Sequence, residues 1–259
     1  MKQLIFIILI SLSLVYCGPK KKPNPDLPTP DEPPTPTTQL ELKDANQLLA
    51  QKRCAEAAAM YQKFLEKASK DAGAWNLLGL ALLCDGKIEQ SMTAFNRALA
   101  ISPTYTDVHN NLGVAYMELK NYTEARKEFM KALEDTSYPV AGPYFNLAKA
   151  SYMQGNYEES RALSKKVLET NSTAVGPLML YALSLEKVGR LNEAEETYRS
   201  LLKVAPGNLE ACYYFANVLV LQNKGCEART YYNKVVDANP LGPLGQKSIE
   251  GLKNIRCQQ

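Results

Sequence analysis

From residue 72 onward the chain repeats itself. One copy carries Trp75, Leu78, Gly79, Gly86, Ser91, Phe95, Ala98 and Pro103; the next carries Leu112, Gly113, Tyr116, Tyr122, Ala125, Phe129 and Ala132. Leu78 and Leu112, Gly79 and Gly113, Phe95 and Phe129, and Ala98 and Ala132 are each 34 residues apart (112 − 78, 113 − 79, 129 − 95 and 132 − 98). A fixed period of this size constrains the fold more than any composition does. Each unit is a small element that cannot bury its apolar face alone, so neighbours must stack.

The period runs on in both directions. Leu147, Ala148, Gly155, Tyr157 and Ser160 belong to a fourth copy, Ala182, Gly189, Ala194, Tyr198 and Pro206 to a fifth, and Phe215, Ala216, Ala228, Tyr232 and Pro240 to a sixth. A weaker first copy has Ala45, Ala57 and Tyr61. Period and pattern resemble the tetratricopeptide repeat (TPR), a hairpin of two helices. That resemblance implies an all-α solenoid: repeats at 39–71, 72–105, 106–140, 141–174, 175–208 and 209–241, and a capping helix within 242–259. Pro103, Pro206 and Pro240 fall where second helices must stop. One extra residue enters around Pro139 to Pro143.

The residue types fit that geometry. Gly79 and Gly113 stand where the two helices of a hairpin cross closely, with Ala57, Ala125, Ala194 and Ala228 as small partners on second helices. Tyr61, Phe95, Phe129, Tyr198 and Tyr232 fill the space between hairpins. Gly86, Gly155 and Gly189 make the turn within a hairpin, where left-handed backbone suits glycine. The stretch from Leu244 to Ile255 reads as a closing helix, which a solenoid needs to cover its last apolar face.

The N-terminus reads as an export signal. Met1-Lys2 precedes an apolar run from Leu4 to Val15, interrupted by Ser11 and Ser13 and followed by Tyr16-Cys17. The run is short for a membrane-spanning helix and suits a signal peptide over residues 1–16. Cys17 directly after it resembles the bacterial lipobox, whose cysteine becomes the acylated N-terminus. Tyr16 departs from that pattern, since lipoproteins usually carry Gly, Ala or Ser there; a plain secretory peptide or an uncleaved anchor are the other readings. Acyl chains would hold the protein on a bilayer at about 0.8 kcal/mol per buried methylene. Gly18 is not the Asp that often retains lipoproteins in the inner membrane, so analogy favours the periplasmic face of the outer membrane. Residues 17–38 then form a Pro-rich linker, GPKKKPNPDLPTPDEPPTPTT after the cysteine, extended at about 3.1 Å per residue.

Six cysteines are present. With Cys17 assigned to lipid, the hairpin register places Cys54 at the start of the first hairpin's second helix and Cys84 at the end of the next helix. Those ends should lie side by side. Cys226 and Cys257 repeat the arrangement against the capping helix. The separations, 84 − 54 = 30 and 257 − 226 = 31, nearly match. Disulfides Cys54–Cys84 and Cys226–Cys257 are therefore expected in an oxidising compartment, each contributing about 3–4 kcal/mol in the chain-entropy treatment. Cys212 is expected to be a free buried thiol. No Cys-x-x-Cys pair exists and His109 is the only histidine, so no metal site is expected.

Charge and motifs exclude more than they suggest. The net charge is +3 over 259 residues, with no basic stripe to follow phosphates, so nucleic acid is not an expected partner. No nucleophile elbow and no phosphate-binding glycine loop occur, and His109 reads as a helix-surface or packing residue. No catalytic residue, cofactor or small-molecule substrate is expected. The concave face is the functional candidate, lined by positions two, five, nine and twelve of each first helix. These include Asn76, Leu80, Leu83, Asn110, Val114, Met117, Phe145, Lys149, Tyr152, Met179, Leu183, Tyr213, Asn217 and Val220. Asn can pair with a peptide backbone while Met and aromatic groups give adaptable apolar contacts.

Leu133-Glu134-Asp135-Thr136-Ser137-Tyr138-Pro139, followed by Tyr144-Phe145-Asn146-Leu147, together with Asn110-Asn111-Leu112-Gly113, resembles the pilotin family of type IV pilus biogenesis lipoproteins over roughly Leu40 to Pro240. The resemblance implies a non-enzymatic adaptor on the outer membrane whose groove holds a segment of the pilus secretin. The Pro-rich linker and the cysteine pairs depart from the shortest family members. A general periplasmic scaffold for cell-wall enzymes or another envelope complex is the alternative.

Overall fold

The computed structural model describes residues 36–135 and 140–255, with side chains from 42 on. The export signal, Cys17, nearly all of the linker, Thr136 to Pro139 of the join and Cys257 lie outside the described residues. The described residues form thirteen α-helices and no strand. They pair as hairpins: α1 (Pro36–Ala50) with α2 (Cys54–Lys67), α3 (Ala72–Cys84) with α4 (Ile88–Ile101), and α5 (Thr106–Glu118) with α6 (Tyr122–Ala132). Then come α7 (Ala141–Met153) with α8 (Tyr157–Thr170), α9 (Val175–Lys187) with α10 (Leu191–Val204), and α11 (Leu209–Leu221) with α12 (Gly225–Ala238). A last helix, α13 (Pro243–Lys253), closes the stack against α12. The odd-numbered helices α1 to α11 are the first (A) helices, and the even-numbered helices α2 to α12 are the second (B) helices.

α1 begins at Pro36, inside the stretch expected to be linker. Proline lacks the N–H that a helix's first turn leaves unsatisfied, so it does not oppose a start there. Two later helices have a side-chain cap. Asp71 accepts from the Ala74 amide at 2.8 Å and Asn208 from the Ala211 amide at 2.9 Å, each satisfying one orphan donor.

The six hairpin turns share one backbone solution. The left-handed residues are Lys52, Gly86, Lys120, Gly155, Gly189 and Asn223, with φ between 57° and 84°. They are spaced 34, 34, 35, 34 and 34 residues (86 − 52, 120 − 86, 155 − 120, 189 − 155, 223 − 189), so the single extra residue lies between the third and fourth turns. Lysine and asparagine occupy half of these positions at the steric cost that glycine avoids.

Gly79 and Gly113 are required by an aromatic ring. A Cβ at Gly79 would lie 2.4 Å from the Phe95 ring, and one at Gly113 would lie 2.5 Å from the Phe129 ring. Phe95 and Phe129, fully buried, therefore pack on the glycine of their own hairpin rather than only between hairpins. In the fourth to sixth hairpins the glycine becomes Ala148, Ala182 and Ala216, and the aromatic becomes Ser164, Tyr198 and Tyr232. Ser164 is buried, and its hydroxyl has no hydrogen-bond partner.

Apolar cores run between successive hairpins, from the cluster around Tyr61, Phe64 and Leu78 to that around Leu185, Tyr198, Phe215 and Leu219. Polar ties reinforce the seams. Arg126 on α6 reaches Glu159 on α8 and the Ser151 hydroxyl on α7, and Arg199 on α10 reaches Glu227 on α12. His109, expected at a surface or in packing, is buried on α5. Its Nδ1 lies 2.7 Å from the Glu128 carboxylate on α6 and its Nε2 lies 3.0 Å from the Pro103 carbonyl. Both neighbours offer acceptor oxygens, an arrangement that favours the doubly protonated, cationic ring, and the His109 pKa is raised accordingly.

Cys54 and Cys84 form a disulfide between the start of α2 and the end of α3, with their Cα atoms 5.7 Å apart. Cys226 is disulfide-bonded as well, while Cys257, its expected partner, lies outside the described residues. Cys212 is a free, buried thiol, and burial raises its pKa. Two glycines seat the cap: a Cβ at Gly245 would meet the Asn239 carbonyl oxygen at 2.0 Å, and one at Gly251 would meet the Tyr232 ring at 2.8 Å.

Candidate protein-binding groove

The A helices carry the side chains expected along the groove, and the structure divides these into two groups. Leu80, Leu83, Val114, Met117, Phe145, Lys149, Tyr152, Tyr213, Asn110 and Asn217 are half-buried, and Val220 is exposed. Asn76, Met179 and Leu183 are buried, at 6%, 6% and 2% exposure, so they do not line an open surface as expected. Met179 and Leu183 belong to the core of the fifth and sixth hairpins, against which Tyr152, Tyr213 and Tyr214 also pack.

The asparagines act mainly inside the protein. Asn76 Oδ1 accepts from Asn111 at 2.9 Å, and Asn110 Oδ1 accepts from Asn146 at 3.0 Å. Each bond joins the A helices of adjacent hairpins. Asn217 Oδ1 accepts from the Tyr232 hydroxyl at 2.6 Å. The carbonyl of each amide thus already accepts a hydrogen bond: Asn76 and Asn110 tie neighbouring A helices, and Asn217 ties α11 to α12.

Over the second to fourth hairpins the groove is apolar with one cation. Leu80, Leu83, Val114, Met117 and Phe145 lead to Lys149, whose Nζ lies 5.7 Å from the centre of the Phe145 ring. Burial lowers the Lys149 pKa, and the charge of Glu118 acts against that shift.

Further on the groove turns aromatic and acidic. Tyr213 lies 5.2 Å from Tyr214 and 6.0 Å from Tyr232 between ring centres, and Tyr152 lies 5.2 Å from Tyr157. Lys247 of the cap sits 6.0 Å from the centre of the Tyr213 ring, so that end of the groove is bounded by α13. Glu186, at position twelve of α9, was absent from the residues expected from sequence. Its Oε2 is buried without a hydrogen-bond partner, and burial raises the carboxyl pKa. Burial, and then the charge of Glu186, push the hydroxyls of Tyr152 and Tyr198 above the usual phenol range. Tyr214 is pushed up to about 12 by burial, with Glu210, Tyr213 and Glu186 adding to it.

Tyr198 departs from an internal rule. The hydroxyls of Tyr61 and Tyr232 donate to Asn46 and Asn217, each at 2.6 Å and each fifteen residues earlier. Fifteen residues before Tyr198 stands Leu183. The Tyr198 side chain is fully buried and its hydroxyl has no partner. The periodic sequence carries this signal: an Asn-to-Leu exchange at one repeat strands the tyrosine facing it.

Among the described residues no cluster of His, Cys, Asp and Glu could hold a metal ion, and no helix is long and apolar enough to cross a membrane.

Comparison with known proteins agrees with the repeat. TPR-repeat family descriptions match residues 85–120, 106–136, 146–177 and 181–243. An uncharacterized lipoprotein of Treponema pallidum is 28% identical over 129 residues, 50% of this chain and 63% of its own length. The chain spans less than two thirds of the curated relatives it first matches, 16% of one and 63% of another. Among solved structures, PilW, described as a widely conserved type IV pilus biogenesis factor, superposes with a TM-score of 0.77 at 18% identity. That match covers 83% of this chain and all of PilW. Pseudomonas aeruginosa PilF superposes with a TM-score of 0.74 at 19% identity, over 82% of this chain and 96% of its own. At these identities the likeness speaks for fold. The described chain is an all-α solenoid of tetratricopeptide repeats, closed by a C-terminal helix.

Proposed function

We propose that this protein is a non-enzymatic adaptor lipoprotein, anchored through acylated Cys17 to the periplasmic face of a bacterial outer membrane, whose groove holds a segment of a type IV pilus secretin and supports the pore's targeting and assembly. The observation that carries this reading is the likeness in fold to PilW, described as a type IV pilus biogenesis factor, and to PilF, over more than four fifths of the chain. The groove adds support. Its half-buried apolar and aromatic side chains on rigid A helices suit an extended or helical partner segment, since a pre-ordered surface loses little entropy on binding.

Affinity capture from gently solubilised envelope, comparing wild type with Cys17→Ala, tests it. Recovery of a secretin with the wild type, and loss of secretin multimers from the outer membrane in the variant, is the expected result. Recovery of cell-wall enzymes without a secretin would replace this reading with the general envelope scaffold.

A further inference from the structure

The disulfide that joins the first two hairpins is asymmetric in access. Cys54 is only 6% exposed, whereas Cys84 is open to solvent. Both line an open depression of about 400 Å³, together with Lys52, Arg53, Ala55, Glu56 and Asp85.

The same two cysteines stand at opposite kinds of helix end. Cys54 is the first residue of α2, and among the described residues no side chain caps that end. Cys84 is the last residue of α3. Free amides and the positive end of the helix dipole stabilise a thiolate at Cys54, while the carbonyl end of α3 opposes one at Cys84. The side-chain charges around the depression largely cancel. Arg53 Nε donates to Glu56 at 2.7 Å, and Lys87 pairs with Asp85 at 2.8 Å. Helix direction therefore decides which sulfur holds a negative charge better.

The two asymmetries agree. Thiol–disulfide exchange needs an accessible sulfur to attack, and it runs faster when the departing thiol is the more acidic one. Attack at Cys84 with departure of Cys54 satisfies both requirements; the opposite order satisfies neither.

We propose that this depression is a site of thiol–disulfide exchange for a dithiol, which attacks Cys84 and displaces Cys54. The incoming thiolate bonds to Cys84 Sγ as the Cys54–Cys84 bond breaks, and the bonding pair leaves on Cys54 Sγ. The second thiol of the partner, as thiolate, then attacks the partner's own sulfur in that mixed disulfide and releases Cys84. The partner ends as a disulfide, and two electrons and two protons pass to Cys54 and Cys84. That second thiol comes from the partner, because the free thiol among the described residues, Cys212, is buried on α11. Run backwards, the same steps install the bond through Cys84. The apolar cluster around Tyr61, Phe64 and Leu78 gives the two hairpins an attachment that does not depend on the bond.

The test uses the whole chain in detergent and two probes that lack a second thiol and so stall at the mixed disulfide. One is glutathione; the other is thioredoxin with its resolving cysteine replaced by serine. Acid quenching, alkylation and peptide mass spectrometry read which cysteine carries the probe and which the alkyl label. The probe is expected on Cys84 and the label on Cys54, in roughly tenfold or greater excess over the opposite pairing, since access and leaving-group acidity act together. In urea, where helix ends and depression are gone, that excess should fall toward parity. Capture by thioredoxin assigns the site to protein dithiols, and capture by glutathione alone to small ones; either upholds it. Excess on Cys54, parity in the folded chain, or a bond that reacts only in urea would each overturn the site.

Discussion

The imidazole of His109 donates to the carboxylate of Glu128 across 2.7 Å, from α5 to α6, with both side chains nearly out of contact with solvent. The hydrogen bond to Glu128 holds the His109 pKa above its ordinary value; burial opposes this and the Pro103 carbonyl assists it. Burial pushes the Glu128 carboxyl up, but the hydrogen bonds from His109 and Lys131 outweigh it and hold the carboxyl below the usual range.

The pair therefore gives stability a defined pH dependence. Because the folded His109 pKa is raised, its contribution is complete below the unfolded value of about 6.5 and is lost as pH rises through the folded value. Because the folded Glu128 pKa is lowered, its contribution is present above about 4.3 and is lost as pH falls through the folded value. Melting temperature relative to His109→Gln should be highest between those limits and should narrow as pH climbs toward 9. Glu128→Gln should cost about 3 kcal/mol near pH 6, because it leaves a buried imidazolium unpaired. An unchanged difference between wild type and His109→Gln from pH 5 to 9 would contradict the charged pair.

Gly79→Ala should destabilise the protein by about 1–3 kcal/mol, because its Cβ would meet the Phe95 ring at 2.4 Å and the ring has nowhere to retreat. Phe95→Leu in the same chain should recover part of that loss, since a smaller side chain frees the space. Chemical denaturation of the single and double variants measures both. Additive losses would deny the contact.

Lys120→Gly should stabilise by roughly 1 kcal/mol. Lys120 holds φ of 57°, at the position where Gly86, Gly155 and Gly189 stand in other hairpins. A β-carbon in that conformation is strained, and this outweighs the entropy that glycine adds to the unfolded chain. The same comparison at Gly86, made in reverse as Gly86→Lys, should destabilise.

Opening the Cys54–Cys84 disulfide should affect the first hairpin more than the rest. In a solenoid each unit is held by its neighbours, and among the described residues α1 and α2 have a neighbouring hairpin on one side only. Cys54→Ser with Cys84→Ser should cost about 3–4 kcal/mol on the chain-entropy scale. Hydrogen exchange should rise in α1 and α2 while α9 to α12 keep their protection.

The hairpins, their order and the left-handed turns at Gly86, Gly155 and Gly189 were legible in the sequence because all follow from one period. The turns at Lys52, Lys120 and Asn223 were not singled out, since those residues carry no composition signal; their register alone gives them away. The side-by-side placement of Cys54 and Cys84 also followed from helix direction and register. The groove was less legible. Counting positions along an A helix tells which way a side chain leaves the helix, not whether a larger neighbour covers it. Met179 and Leu183 are covered, and Asn76 is taken by Asn111. Glu186 sits at a counted position but was not among the residues expected there, and its buried oxygen is not visible in the count.

The most direct measurement is photo-crosslinking in envelope from cells that make the pilus, with a photoreactive phenylalanine at Val114, at Tyr213 and, on the exposed surface of α8, at Lys165. Crosslinks to one secretin from Val114 and Tyr213, and none from Lys165, are the outcome expected of a groove that holds the pilus pore subunit. Crosslinks from Lys165 alone, or groove crosslinks to proteins other than a secretin, would contradict it.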